Sequence, residues 1–148
     1  MQDSIEREVV VRAPIERVWA VLTEPTYVGR WFGQHAEFDL REGAPARFGW
    51  DEHGWFSARI EKVERPHLFS FRWAEDPDVA LEDSPSTLVE FTLTDAGEGT
   101  RVHVTESGFA SFPQARHRVA LDDHIEGWRI ELGDLVALLD ELDGVVAP

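Results

Sequence analysis

Between about Gln114 and Leu142 the chain carries apolar residues at Leu121, Ile125, Trp128, Leu132, Leu135, Leu139 and Leu142. The steps alternate between four and three residues, which is the spacing of an α-helix with one buried stripe. Such a heptad-like stripe suits either a dimerising coiled coil or a helix packed within its own chain. Here it runs for fewer than five heptads and has a Trp in its seam. Everything before it reads as short strands crowded with Trp and Phe. The stripe is therefore expected to lie on that sheet, because nothing else in the chain can bury it.

The remainder sorts into elements by period and punctuation. Ile5 to Arg12 contains the β-branched run Val9-Val10-Val11 and reads as the first strand. Pro14 sits at the first turn of a short helix with Val18, Trp19 and Leu22 on its apolar face, ending near Thr23. Pro25 opens a second short helix carrying Tyr27, Val28, Trp31 and Phe32, with Gly33 as terminator. About six strands follow. Phe38 and Leu40 alternate with acidic residues, Phe48 and Trp50 share a face, and Phe56, Ala58 and Ile60 alternate with polar residues. Phe69, Phe71 and Trp73 share a face, as do Val89, Phe91 and Leu93, and Val102 and Val104 continue the pattern to Phe109. Turns are expected at Gly43 to Pro45, at Asp51-Glu52-His53-Gly54, at Arg65-Pro66-His67 and at Asp95 to Gly99. Glu75 to Ser86, polar and acidic with two prolines, is the one long loop and a candidate lid. Strands joined by short turns imply an antiparallel meander, and the closing helix makes it a two-layer α+β domain.

Composition narrows the partners. A chain of 148 residues is one domain by the prior of about 150 residues each, so residues 1–148 are read as a single unit. The 43% of hydrophobic residues suffices for a core. A net charge of −15 and a pI of about 4.6 argue against binding to nucleic acid or anionic membranes, which rely on Lys and Arg. Without cysteine there is no disulfide, thiol catalysis or Cys-ligated metal. The first residues lack a basic and apolar leader, and no apolar run approaches the ~20 residues of a membrane span. A cytoplasmic monomer or weak homodimer, with no cofactor, is the expectation.

Ala13-Pro14 with Val18-Trp19 and Leu22-Thr23, then Pro25 and the block Arg30-Trp31-Phe32-Gly33, resemble the front of the START-like (Bet v 1-like, SRPBCC) superfamily. Thr100-Arg101-Val102 through Glu106-Ser107-Gly108-Phe109, and Gly127-Trp128 followed by leucines, resemble its last strand and closing helix. Within it the chain is most similar to the branch named for the activator of heat-shock-protein-90 ATPase and to the calicheamicin-resistance-like proteins beside it. The resemblance covers essentially the whole chain. It implies a helix-grip fold: a curved antiparallel sheet of about seven strands round a long C-terminal helix, with a cavity between. It implies little about chemistry, because members include lipid carriers, hormone receptors, polyketide cyclases, oxygenase domains and co-chaperones.

The aromatic set Phe48, Trp50, Phe56, Phe69, Phe71 and Trp73 has the parity to face inward, with Trp128 opposite. Any one ring is most simply core; the set points to a cavity for a flat or apolar ligand, since a curved sheet and a straight helix leave a gap. His124 lies one turn before Trp128 and projects on the same side, as a hydrogen-bonding anchor, a general base or a half-exposed helix residue. Arg7 shares parity with Val9 and Val11 but lies near a strand end where it reaches water; Arg59 and Arg72 should face solvent. His35 with Glu37, or Asp51, Glu52 and His53, have no metal-ligand spacing, and Asp76, Asp78, Glu82 and Asp83 read as a solvated acidic loop. There is no nucleophile elbow and no phosphate-cradling glycine motif, so no catalytic residue is named.

The sequence thus predicts a binder of a small hydrophobic or aromatic molecule between sheet and helix, walled by Trp31, Phe48, Trp50, Phe56, Phe71, Trp73, His124 and Trp128. Two alternatives stay open. One is an enzyme of polyketide cyclase or dehydratase type, which needs a perturbed group within reach of a ligand. The other is a protein-interaction module resembling a co-chaperone, which needs an exposed apolar patch and a filled interior. Enzymatic activity is the less expected outcome.

Overall fold

The computed structural model describes residues 2–146. Strand β1 (Ser4–Val11) leads through helices α1 (Ile15–Thr23) and α2 (Pro25–Trp31) to β2 (His35–Phe38), β3 (Pro45–Trp50), β4 (Gly54–Glu64), β5 (Leu68–Ala74), β6 (Ser86–Asp95) and β7 (Thr100–Ser107). Helix α3 (Gln114–Val146) closes the order. The seven strands form one antiparallel sheet in the order β1-β7-β6-β5-β4-β3-β2. Successive hairpins explain every neighbour except β1, which pairs with β7. Because β1 and β2 are the two edges, α1 and α2 carry the chain from one edge of the sheet to the other. This is the helix-grip arrangement that the resemblance implied.

Local chemistry sets the element ends. Pro14 caps α1, its carbonyl accepting from Arg17 and Val18 at 3.0 and 3.1 Å, and Pro25 starts α2 where no amide donor is needed. Gly33, at φ +71°, turns the chain out of α2 into β2. On the inner face β5 presents Phe69 and Phe71, β6 presents Val89, Phe91 and Leu93, and β7 presents Val102 and Val104, all buried. A bulge in β4 between Ile60 and Lys62 returns Val63 to a place opposite Phe69. The α3 stripe covers this face: Leu121, Trp128, Leu132, Leu135 and Leu139 are buried, and Leu138 joins them. Ile125 and Leu142 pack at its margin.

Element boundaries differ from the sequence expectation at a few points. β7 stops at Ser107 because Gly108 takes φ +110°, and Phe109–Ser111 forms a turn of 3₁₀-helix rather than strand. The expected long loop ends at Pro85, since Ser86 already pairs with Ala74, and Leu81–Asp83 within it is another 3₁₀ turn. Helix α3 runs beyond Leu142 to Val146. Arg7 is exposed despite its parity and donates to the Glu6 carbonyl; Arg59 is exposed, and Arg72 is half-buried, donating to Ser86 Oγ. No helix among the described residues is long and apolar enough to cross a membrane.

Candidate functional site

Where β7 runs beneath α3, the inward position after Val102 and Val104 is a carboxylate. Glu106 is fully buried, at 0% exposure. An unpaired carboxylate there would cost several kcal/mol, and four donors offset that cost. Trp73 Nε1 and Thr87 Oγ donate to Oε2 at 2.9 and 2.5 Å. Trp128 Nε1 and His124 Nδ1 donate to Oε1, both at 2.8 Å. Two donors come from the sheet and two from the helix, so the carboxylate ties one layer to the other.

His124 is bonded on its far side as well: Nε2 lies 2.7 Å from Glu75 Oε1. Carboxylates only accept, so both ring nitrogens must donate, and the ring is an imidazolium. Burial opposes that charge, but hydrogen bonds to Glu106 and Glu75 and their negative charges outweigh it, raising the His124 pKa to about 10. For Glu106 burial again opposes charge, and its hydrogen bonds to His124, Thr87 and Trp73, with the His124 charge, hold its pKa below the ordinary carboxylate value. At neutral pH His124 has no free lone pair. It is an orienting cation between two carboxylates, not a general base.

Next to this polar knot lies an open cleft of about 750 Å³, within the roughly 300–1,000 Å³ of small-molecule sites. One wall is α3 from Asp123 to Asp134; the other is made by the end of the sheet and the turn after α2. Trp50, Phe56, Trp73, His124 and Trp128 border it, five of the residues named from the sequence. Trp31, Phe48 and Phe71 do not. They are 2%, 1% and 2% exposed and fill the space between sheet and helix. Phe48 packs 4.8 Å from Phe71, and Trp31 donates its indole N–H to the Val21 carbonyl at 3.0 Å. The middle of the domain is thus packed with rings, and the remaining space opens at one end.

Residues outside the expected set of walls complete the cleft. Phe32, expected on the apolar face of α2, forms the cleft floor, stacked on Trp128 with ring centroids 5.7 Å apart and also packed on Trp50 and Trp73. Gly127 leaves a notch in the helical wall, as a Cβ there would meet nothing within 4 Å. Glu131, one turn after Trp128, borders the opening. Burial raises its pKa to about 7, against the pull of the Trp50 indole and the Gly33 amide, and Asp134 adds to the rise. Glu106 had one available signal: it continues the inward parity of Val102 and Val104.

The loop after β5 is fastened to α3. Glu75 meets His124, and the next residue, Asp76, forms an ion pair with Arg116. His35 pairs with Asp51 at 2.8 Å on the outside of the sheet. No group of three or more His, Asp or Glu suited to a metal occurs among the described residues.

The family model described as "Activator of Hsp90 ATPase homolog 1-like protein" matches residues 12–140. Among solved structures, DynU16, from the dynemicin biosynthetic locus, is similar at 27% identity and a TM-score of 0.77, over 95% of this chain and 48% of that one. MLL2253 from Mesorhizobium loti is similar at 25% identity and a TM-score of 0.78, over 93% of this chain and 97% of that one. CalU16 from Micromonospora echinospora is similar at 25% identity and a TM-score of 0.65, over 92% of this chain and 65% of that one. This chain therefore spans about half the length of DynU16. No curated protein matches the sequence.

Proposed function

Because this chain belongs to the Activator of Hsp90 ATPase homolog 1-like family, within the SRPBCC domains, we propose that it binds a small molecule with an aromatic or apolar body in the cleft beside α3. The observation that carries this reading is the lining of the cleft. Phe32, Trp50, Phe56, Trp73 and Trp128 line it, while α3 supplies polar groups at its edge. Apolar walls with a few oriented polar groups are the usual composition of such sites. The packed middle of the domain supports a ligand seated at the open end rather than one enclosed between sheet and helix.

Binding of aromatic metabolites and lipids is read from tryptophan fluorescence, for which the cleft indoles are reporters. The comparison protein is Gly127→Phe, whose new ring would occupy the notch. Wild-type protein should respond to members of the panel, and the folded variant should lose that response. Silence of the wild type across a broad panel, with its fold intact, would sink the reading.

A further inference from the structure

The cleft has an uneven balance of charge. Its border carries the carboxylates of Glu75, Asp123, Glu126, Glu131 and Asp134, and neither Lys nor Arg. Two histidines also stand there, His53 and His124. His124 is already engaged by Glu106 and Glu75, so its charge is neutralised before any ligand arrives. Glu126 is engaged by Arg129 on the outer surface. Glu131 is different: partly buried at the border, it is met by the neutral Trp50 indole and Gly33 amide donors and by no cation. Neutral donors offset only part of the cost of burying a carboxylate, and an arriving cation would relieve the rest.

The aromatic walls favour the same sign of charge. Trp50 and Trp73 are only partly buried and border the opening with their rings. The faces of indoles carry negative potential and attract ammonium groups. An anionic ligand would meet five carboxylates with neither Lys nor Arg to balance them. A neutral ligand would leave Glu131 as it is.

We infer that the cleft takes a cationic amphiphile, an aromatic or apolar body bearing a protonated amine, with the body on Phe32, Trp50 and Trp73 and the ammonium at Glu131. This rests on the binding reading above and adds the chemical class of the ligand.

The test uses three matched probes: 3,3-diphenylpropylamine, 3,3-diphenylpropan-1-ol and 3,3-diphenylpropanoate. Each is titrated at about pH 8 into ¹⁵N-labelled protein, following the indole N–H signals. The amine should bind roughly tenfold more tightly than the alcohol, as expected for one ammonium over indole faces beside one half-buried carboxylate. The propanoate should bind most weakly. Raising the salt should narrow the gap between amine and alcohol. Glu131→Gln should remove most of the amine's advantage and leave the alcohol unchanged, a comparison internal to each folded protein. If the alcohol or the propanoate binds at least as tightly as the amine, the assignment of ligand charge is overturned while the cleft remains a binding site. If none of the three perturbs the cleft indoles of the folded protein, both readings fall.

Discussion

Glu106 on β7 and His124 on α3 meet at 2.8 Å across the layer boundary, a buried carboxylate against an imidazolium. Replacing Glu106 leaves His124 with Glu75 as its one counter-charge and takes the buried acceptor from the Trp73, Thr87 and Trp128 donors, at a cost of about 3–5 kcal/mol. Glu106→Gln keeps the size but not the charge, and its amide would direct a donor at groups that themselves donate. Urea unfolding should show a loss in that range. A loss under about 1 kcal/mol would mean that the pair is hydrated in solution.

The same pair dictates how stability responds to alkali. Below about pH 6.5 His124 is protonated in both folded and unfolded chains, so its whole contribution is present. The folded pKa is raised to about 10. Between these values the fold holds a proton that the unfolded chain has released, so stability falls as pH rises, by up to about 1.4 kcal/mol per pH unit. Urea midpoints should decline from pH 7 to pH 10 in wild type, by the linkage just given. His124→Gln should start less stable and lack most of that slope. A wild-type midpoint that is flat across the window would contradict the imidazolium assignment.

Gly127 lies inside α3, where glycine is disfavoured by about 1 kcal/mol relative to alanine. No atom lies within 4 Å of a Cβ added there. Gly127→Ala is therefore expected to raise stability by about 0.5–1 kcal/mol. It should also narrow the cleft slightly. Thermal unfolding alongside ligand titration separates the two effects; a loss of stability would show that the notch is already filled.

The two tryptophans on either side of the opening should behave differently. Trp128 is 3% exposed and bonded to Glu106, so Trp128→Ala should cost about 3–5 kcal/mol. Trp50 is partly exposed at the cleft, so Trp50→Ala should cost less stability and more binding. Equal losses of stability in the two variants would erase the distinction between core wall and ligand wall.

Much of this architecture is legible in the sequence, because hydrophobic periodicity reports which face is buried. The α3 stripe, the paired short helices and the alternating strands follow from it, and the four-residue spacing of His124 and Trp128 puts both on the side of the helix that meets Glu106. Periodicity does not report depth. Phe48 and Phe71 share inward parity with Trp73, yet they lie fully buried while Trp73 reaches the cleft; what separates them is distance along the strands and the position of Phe32. The polar centre was obscured for a related reason. Hydrophobic patterning treats Glu106 as an interruption, whereas its four donors come from β5, β6 and α3 and converge only on folding. The carboxylates at the opening carried no signal of their own in a chain with 29 acidic residues.

A long helix resting on packed rings has no intrinsic address, because apolar surface is rewarded for area and not for position. Sliding by one turn, about 5.4 Å, would lay leucines over much the same ground. Glu106 removes that freedom. His124 and Trp128 would both leave the carboxylate in a single displacement, while Trp73 and Thr87 stayed behind with an unbalanced charge. The helix is consequently locked at one longitudinal position, and the opening beside it has one width. Any shift of that wall would first have to undo the charge beneath it.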